Sequence, residues 1–147
     1  MHSVVIASDH AGFPLKQVLV ERLRAAGLGV EDLGPADASS VDYPDFAAAV
    51  AHRVAADPGT RGVLVCGTGI GMSIAANKIP GIRAAVVESE GCARLARQHN
   101  DANVVCVGSR VLAAERAVEI VRLFLETAFE GGRHQKRLDK IAALERA

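Results

Sequence analysis

The chain has 147 residues, half of them hydrophobic, and its 17 Lys and Arg balance 17 Asp and Glu. That length suits one well-filled domain, residues 1–147, and not two. A formal charge of zero speaks against a nucleic-acid or membrane-surface protein, whose affinity would come from excess basic residues. The three cysteines, Cys66, Cys92 and Cys106, form no CxxC pair, which fits a reducing cytoplasmic setting better than a disulfide framework. The five histidines show no HxxxH or HExxH spacing, so no metal site is predicted. Neither a secretory segment after Met1-His2-Ser3 nor a membrane-spanning apolar run of about 18 residues is predicted.

In chain order, short apolar β-branched runs alternate with helical patterns. A first strand is predicted over Ser3–Ser8. Pro14 then stands near a helix start, Leu15, Val18, Leu19, Leu23 and Ala26 recur at helical spacing, and Gly27 stops that helix. Strand two covers Gly29–Leu33, and a polar loop leads to a helix over Asp45–Ala56 with Asp45 as its cap. Strand three, Gly62–Cys66, is a continuous buried run followed by the turn Gly67–Gly71 and a helix ending before Pro80-Gly81. Strand four covers Arg83–Val87, a helix runs to Gln98, and strand five covers Val104–Val107. Helices over Ala113–Phe129 and from His134 onward complete the chain. The predicted fold is α/β: a Rossmann-like three-layer sandwich with a five-stranded parallel sheet, helices on both faces and a C-terminal helix. The commonest order for five such strands is 2-1-3-4-5, with ligands beyond the carboxyl ends of strands one and three.

Those two ends carry Asp9-His10 and Cys66-Gly67-Thr68-Gly69-Ile70-Gly71. The glycine turn can aim main-chain N–H groups at a phosphate or an oxyanion, or it is only a tight strand-to-helix turn. Cys66 abuts that turn and could act as base or nucleophile, with Thr68 as a hydrogen-bond donor, whereas Cys92 and Cys106 read as small buried hydrophobes. Asp9 either caps the next helix or holds a sugar hydroxyl beside His10. His99 belongs at the amino ends of the strands, so any chemistry it does would be delivered to a neighbouring subunit. Arg133 and Arg137 stand four apart, on one face of the last helix, as a solvated basic face or a phosphate clamp.

These segments, with Asp42-Tyr43-Pro44-Asp45, Gly108-Ser109-Arg110 and Phe129 to Gln135, make the sequence resemble the type B ribose-5-phosphate isomerases, a family that includes galactose- and allose-6-phosphate isomerases. The resemblance implies a homodimer, or a tetramer, with sites between subunits, a small sugar phosphate as substrate, and no cofactor. It implies that Cys66 takes the proton next to the carbonyl and that His99 assists ring opening. It further implies that Asp9, His10, the amides of Gly67, Gly69, Ile70 and Gly71, and Asn100 hold the sugar. Arg110, Arg133 and Arg137, helped by His134, are left for the phosphate. The acidic stretch Glu88-Ser89-Glu90 fits this pattern less well and bears on which phosphosugar is used, the alternatives being allose 6-phosphate or a four-carbon ketose phosphate. A non-catalytic phosphate- or nucleotide-binding module on the same frame is the competing expectation.

Overall fold

A computed structural model describes residues 2–147. The elements are β1 (Ser3–Ser8), α1 (Phe13–Ala25), β2 (Val30–Asp32), α2 (Tyr43–Ala56), β3 (Thr60–Cys66), α3 (Ile70–Ala76), β4 (Ala84–Val86), α4 (Glu90–Asn100), β5 (Val104–Gly108), α5 (Ala114–Glu126) and α6 (Arg133–Leu144). No helix among them is long and apolar enough to cross a membrane.

Local chemistry sets the helix ends. Gly27 closes α1 with its N–H on the Arg24 carbonyl while the Leu28 N–H reaches Leu23, a Schellman closure that needs the positive φ of 89° at Gly27. Helix α2 starts at Tyr43, so Asp42 and not Asp45 is the cap position. Pro44 in the first turn loses no hydrogen bond there, which lets the helix begin before it. Ser89 caps α4 by accepting the Cys92 N–H at 3.1 Å.

All strand pairs are parallel, in the order β2-β1-β3-β5-β4. The predicted order exchanged the last two. Burial explains the difference: all five residues of β5 are buried, whereas the three of β4 are only half-buried. An apolar strand covered on both faces belongs inside the sheet, and a short one at its edge. The crossovers keep one hand. The moves β2→β3 and β3→β4 run one way across the sheet over α2 and α3, and β1→β2 and β4→β5 run the other way over α1 and α4 on the opposite face.

The two-residue period of the strands divides the core. Val4, Ile6, Val63, Val65, Val105 and Val107 pack with α1, α4 and α5 around Phe124. Val5, Ala7, Leu64, Cys66, Val104 and Cys106 pack with α2 and α3 around Met72 and Val50. Cys66 is therefore the last residue of the α2–α3 face, where the sheet opens to the loops.

Candidate active site

The pairing Ser8↔Val65 brings the carboxyl ends of β1 and β3 side by side. The Asp9 N–H donates to the Val65 carbonyl at 3.1 Å, and Asp9 is 8% exposed. Its Oδ1 accepts the Gly12 N–H at 2.8 Å, which leaves Oδ2 for a ligand. Both readings of Asp9 thus coexist: one oxygen orders the start of α1 and the other is spare. The Val41 N–H donates to His10 Nδ1 at 3.3 Å, which makes Nε2 the donor edge of an exposed ring.

At the end of β3, Cys66 is 5% exposed, and its Sγ accepts the Gly69 N–H at 3.1 Å. A main-chain donor on sulfur stabilises negative charge there. Gly69 has φ 81°, and a Cβ on it would stand 3.2 Å from the backbone of Cys106 and Val107. Only glycine gives both the turn and the close approach that place its N–H on Sγ. Thr68 Oγ1 accepts the Ile70 N–H at 3.2 Å, so its own O–H remains free to donate. Two of the loop amides expected to hold sugar are therefore spent inside the loop, on sulfur and on Thr68.

The loop after β5 completes this crevice. The Ser109 and Arg110 N–H groups each donate at 2.9 Å, to the Cys66 and Gly67 carbonyls, and Ser109 Oγ donates to the Ala11 carbonyl at 2.9 Å. The Arg110 guanidinium lies over Gly67, where an added Cβ would meet Nη1 at 3.3 Å. Tyr43 lies against Gly71 so closely that a Cβ there would be 2.6 Å from its ring. The other thiols differ from Cys66. Burial pushes the Cys106 thiol far up, so it stays protonated and inert. Cys92 is exposed in the first turn of α4, not buried as expected, because it faces away from the sheet beside Gly91.

A second group stands at the other end of the sheet. His99, in the last turn of α4, stacks on His134 of α6 with centroids 4.3 Å apart and planes at 19°. Glu130 Oε1 lies 3.7 Å from His134 Nε2 and 4.0 Å from His99 Nε2. His134 is 5% exposed and its Nε2 has no hydrogen-bond partner. Burial first, then Arg133 and His99, lower its pKa against the opposing pull of Glu130. The three donor atoms lie within 4.8 Å of one another. However, nearly parallel rings send their lone pairs side by side and do not converge on one ion. Asn100, Arg133 and Arg137 are exposed around this group.

So the chain gathers Asp9, His10, Cys66, Thr68 and Arg110 at the carboxyl ends of the strands. It gathers His99, Asn100, Arg133, His134 and Arg137 at the amino ends. Glu130 and Tyr43 were given no role from sequence. The four-residue spacing of Glu130 to His134 was the available signal for one, and nothing local marked the packing of Tyr43 on Gly71.

Residues 4–141 match the family model described as Ribose/Galactose Isomerase. The chain is 49% identical over 146 residues to a probable ribose-5-phosphate isomerase B of Mycoplasma pneumoniae, covering 99% of this chain and 96% of that one. It is 46% identical over 145 residues to the ribose-5-phosphate isomerase B of Escherichia coli, covering 99% and 97%. The crystal structure of ribose-5-phosphate isomerase B from Mycoplasma genitalium with bound ribulose-5-phosphate superposes with a TM-score of 0.95 at 47% identity, covering 99% of this chain and 97% of that one. With sequence, fold and nearly full-length coverage in agreement, the chain belongs to the ribose/galactose isomerase family.

Proposed function

We propose that the chain interconverts ribose 5-phosphate and ribulose 5-phosphate through an enediolate, as a homodimer in the cytoplasm, with each site shared between two subunits. The observation that carries the mechanism is Cys66 Sγ held by the Gly69 N–H at the rim of the sheet, on the strand end next to that of Asp9 and one residue before Gly67, over which Arg110 lies. Relatives that are ribose-5-phosphate isomerases, one of them holding ribulose-5-phosphate, support the choice of substrate.

In the open-chain aldose the Cys66 thiolate takes the proton from C2. The C–H electron pair becomes the C1–C2 double bond, and the carbonyl pair moves to O1. The Thr68 O–H and the loop amides not already spent face the developing oxyanion, and fixed donors need no reorganisation during the reaction. The O2 proton passes to O1, the thiol returns its proton to C1, and the ketose results with the sulfur unchanged. A base that reprotonates the adjacent carbon is worth about 10²–10⁴-fold in rate. Asp9 and the Nε2 edge of His10 hold hydroxyls, and Arg110 fixes the substrate from its own chain. The partner copy supplies His99 for ring opening, Asn100 for a hydroxyl, and Arg133, Arg137 and His134 for the phosphate, whose binding orients the reacting carbons.

Glu88 follows the edge strand β4, two strands from β3 in the sheet. Its charge is thus displaced from the sulfur, which favours an unaltered pentose preference. A coupled assay for ribulose 5-phosphate tests the proposal with wild type and Cys66→Ala together. The variant should lose at least a hundredfold in kcat and keep phosphosugar affinity. Full turnover by Cys66→Ala would remove the sulfur from the chemistry, and a six-carbon phosphosugar preferred in kcat/KM would replace the substrate.

A further inference from the structure

The amino ends of β3, β4 and β5 surround a recess of about 230 Å³ lined by Val54, Ala55, Pro58, Thr60, Arg61, Gly81, Arg83, Asp101 and Asn103. It contains none of the residues assigned above to the sugar or to its phosphate. What distinguishes it is an excess of positive charge in a chain with none overall. Arg61 and Arg83 line it, Arg97 stands behind Asp101, and the pKa of His2 is lowered by burial first and then by Arg61 and Arg97.

The anionic groups do not match this. Asp101 is the one carboxylate in the lining. Its Oδ1 is taken by Arg97 Nη1 at 2.7 Å, and its Oδ2 stands 3.6 Å from Arg83 Nη2, beyond a good hydrogen bond. The Asp57 carboxylate nearby is spent on the Gly59 N–H and the Thr60 hydroxyl. Asn103 uses both ends of its amide on the Arg83 N–H and the Gly81 carbonyl. Backbone carbonyls take some of the guanidinium donors: Arg61 Nη1 donates to Pro58 at 3.0 Å and Arg83 Nε to Asp101 at 2.9 Å. Arg61 Nε is left buried with no partner at all. Half-burial, with Arg97 and Arg83 close by, disfavours the charge of Arg61 against the single opposing pull of Asp101.

A buried guanidinium N–H without an acceptor, among like charges that one carboxylate cannot neutralise, is costly unless an anion fills the space. Two arginines line this one recess, and a guanidinium fork matches the geometry of a phosphoryl group. We propose that this recess binds a small phosphate-bearing anion, at a site separate from the isomerase crevice. The apolar wall of Val54, Ala55 and Pro58 gives room for a short organic stem beside the phosphoryl group.

The probe is inorganic phosphate, titrated while the Nε–H resonances of the arginines are followed by NMR. Wild type is compared with Arg133→Met/Arg137→Met, which weakens phosphate binding by the other cationic group at the amino ends. Arg61 and Arg83 Nε–H signals should shift saturably in both proteins, and sodium chloride at equal ionic strength should not reproduce the shift. Arg61→Met should abolish the response of Arg83 while leaving isomerase turnover within twofold of wild type. A linear, chloride-like response of both arginines in wild type would overturn the proposal whether or not the Arg61 variant folds.

Discussion

Lys16 is among the largest wholly buried side chains and carries a charge, and its removal tests how the crevice is held. Its Nζ donates to Asp32 Oδ1 at 2.9 Å, Asp32 Oδ2 at 3.0 Å and the Pro35 carbonyl at 2.6 Å, and it lies 4.9 Å from the centre of the Phe13 ring. All three N–H groups are thus matched. Lys16→Met keeps the aliphatic stem and deletes the charge, so the loss is that of a buried pair deprived of one partner, about 3–5 kcal/mol. The Asp32 side chain is 27% exposed and can regain water, which lowers the expectation to about 2–3 kcal/mol. For a domain of this size that is a fall of about 5–10 °C in Tm. There is a local consequence too. Asp32 Oδ1 also accepts the Gly34 N–H, and the Gly34 carbonyl accepts the Ser8 N–H, next to Asp9. Loosening that loop should therefore raise KM for the phosphosugar more than it lowers kcat. Urea and thermal unfolding of Lys16→Met, Asp32→Asn and the double variant form the cycle. The double variant should be less destabilised than the sum of the singles, because the stranded charge is gone. A Lys16→Met protein within about 0.5 kcal/mol of wild type would refute the reasoning, since that is the scale of an ordinary surface change.

His134 sets an acid limit. A histidine whose pKa is lowered on folding from 6.5 binds protons more weakly in the folded than in the unfolded chain, so stability should decline as pH falls through and below 6.5. Tm measured from pH 7.5 to 5 should show this decline, and His134→Asn should reduce it, the remainder belonging to His2, whose pKa is lowered from the same value. The lowered carboxylates Glu31, Asp37 and Asp57 act only nearer pH 4, below that window. If His99 opens the furanose ring, His99→Asn should cost far more turnover on a cyclic phosphosugar than on one locked open; equal losses would remove that role.

The features that sequence made legible are those that local pattern controls. Apolar runs located five strands, and the parallel βα order placed Asp9 beside Cys66 without any distance in hand. The exchange of β4 and β5 was hidden because it depends on which strand is covered on both faces. Three residues, Ala84–Val86, carry too little pattern to show that. Nothing in the local pattern singles out Lys16. Its burial depends on Asp32, sixteen residues away, and on the turn that delivers the Pro35 carbonyl. The commitment of the Gly69 amide to sulfur was equally invisible, since three glycines in six residues do not say which N–H turns inward. His99 was placed correctly at the amino ends because it precedes β5, and chain direction alone decides that.

That placement has a consequence for the assembly. Cys66 pairs with Gly108 and Gly62 with Val104, while His99 comes five residues before Val104. At about 3.3 Å per residue the paired stretch separates the two ends by about 13 Å, with the loop to His99 beyond it. A pentose phosphate cannot touch both groups of one chain from the crevice. If a two-fold partner supplies the missing half, a mixture of Cys66→Ala and His99→Asn subunits has a defined outcome. Each mixed dimer holds one site in which both defects coincide and one site with neither. Equal amounts, dissociated and reassociated at random, make about half of the dimers mixed, so about a quarter of wild-type turnover should return from two nearly inactive parents. Sites confined to single chains would return nothing above the parents, whatever the mixing ratio. That result would leave the family intact and remove the shared site.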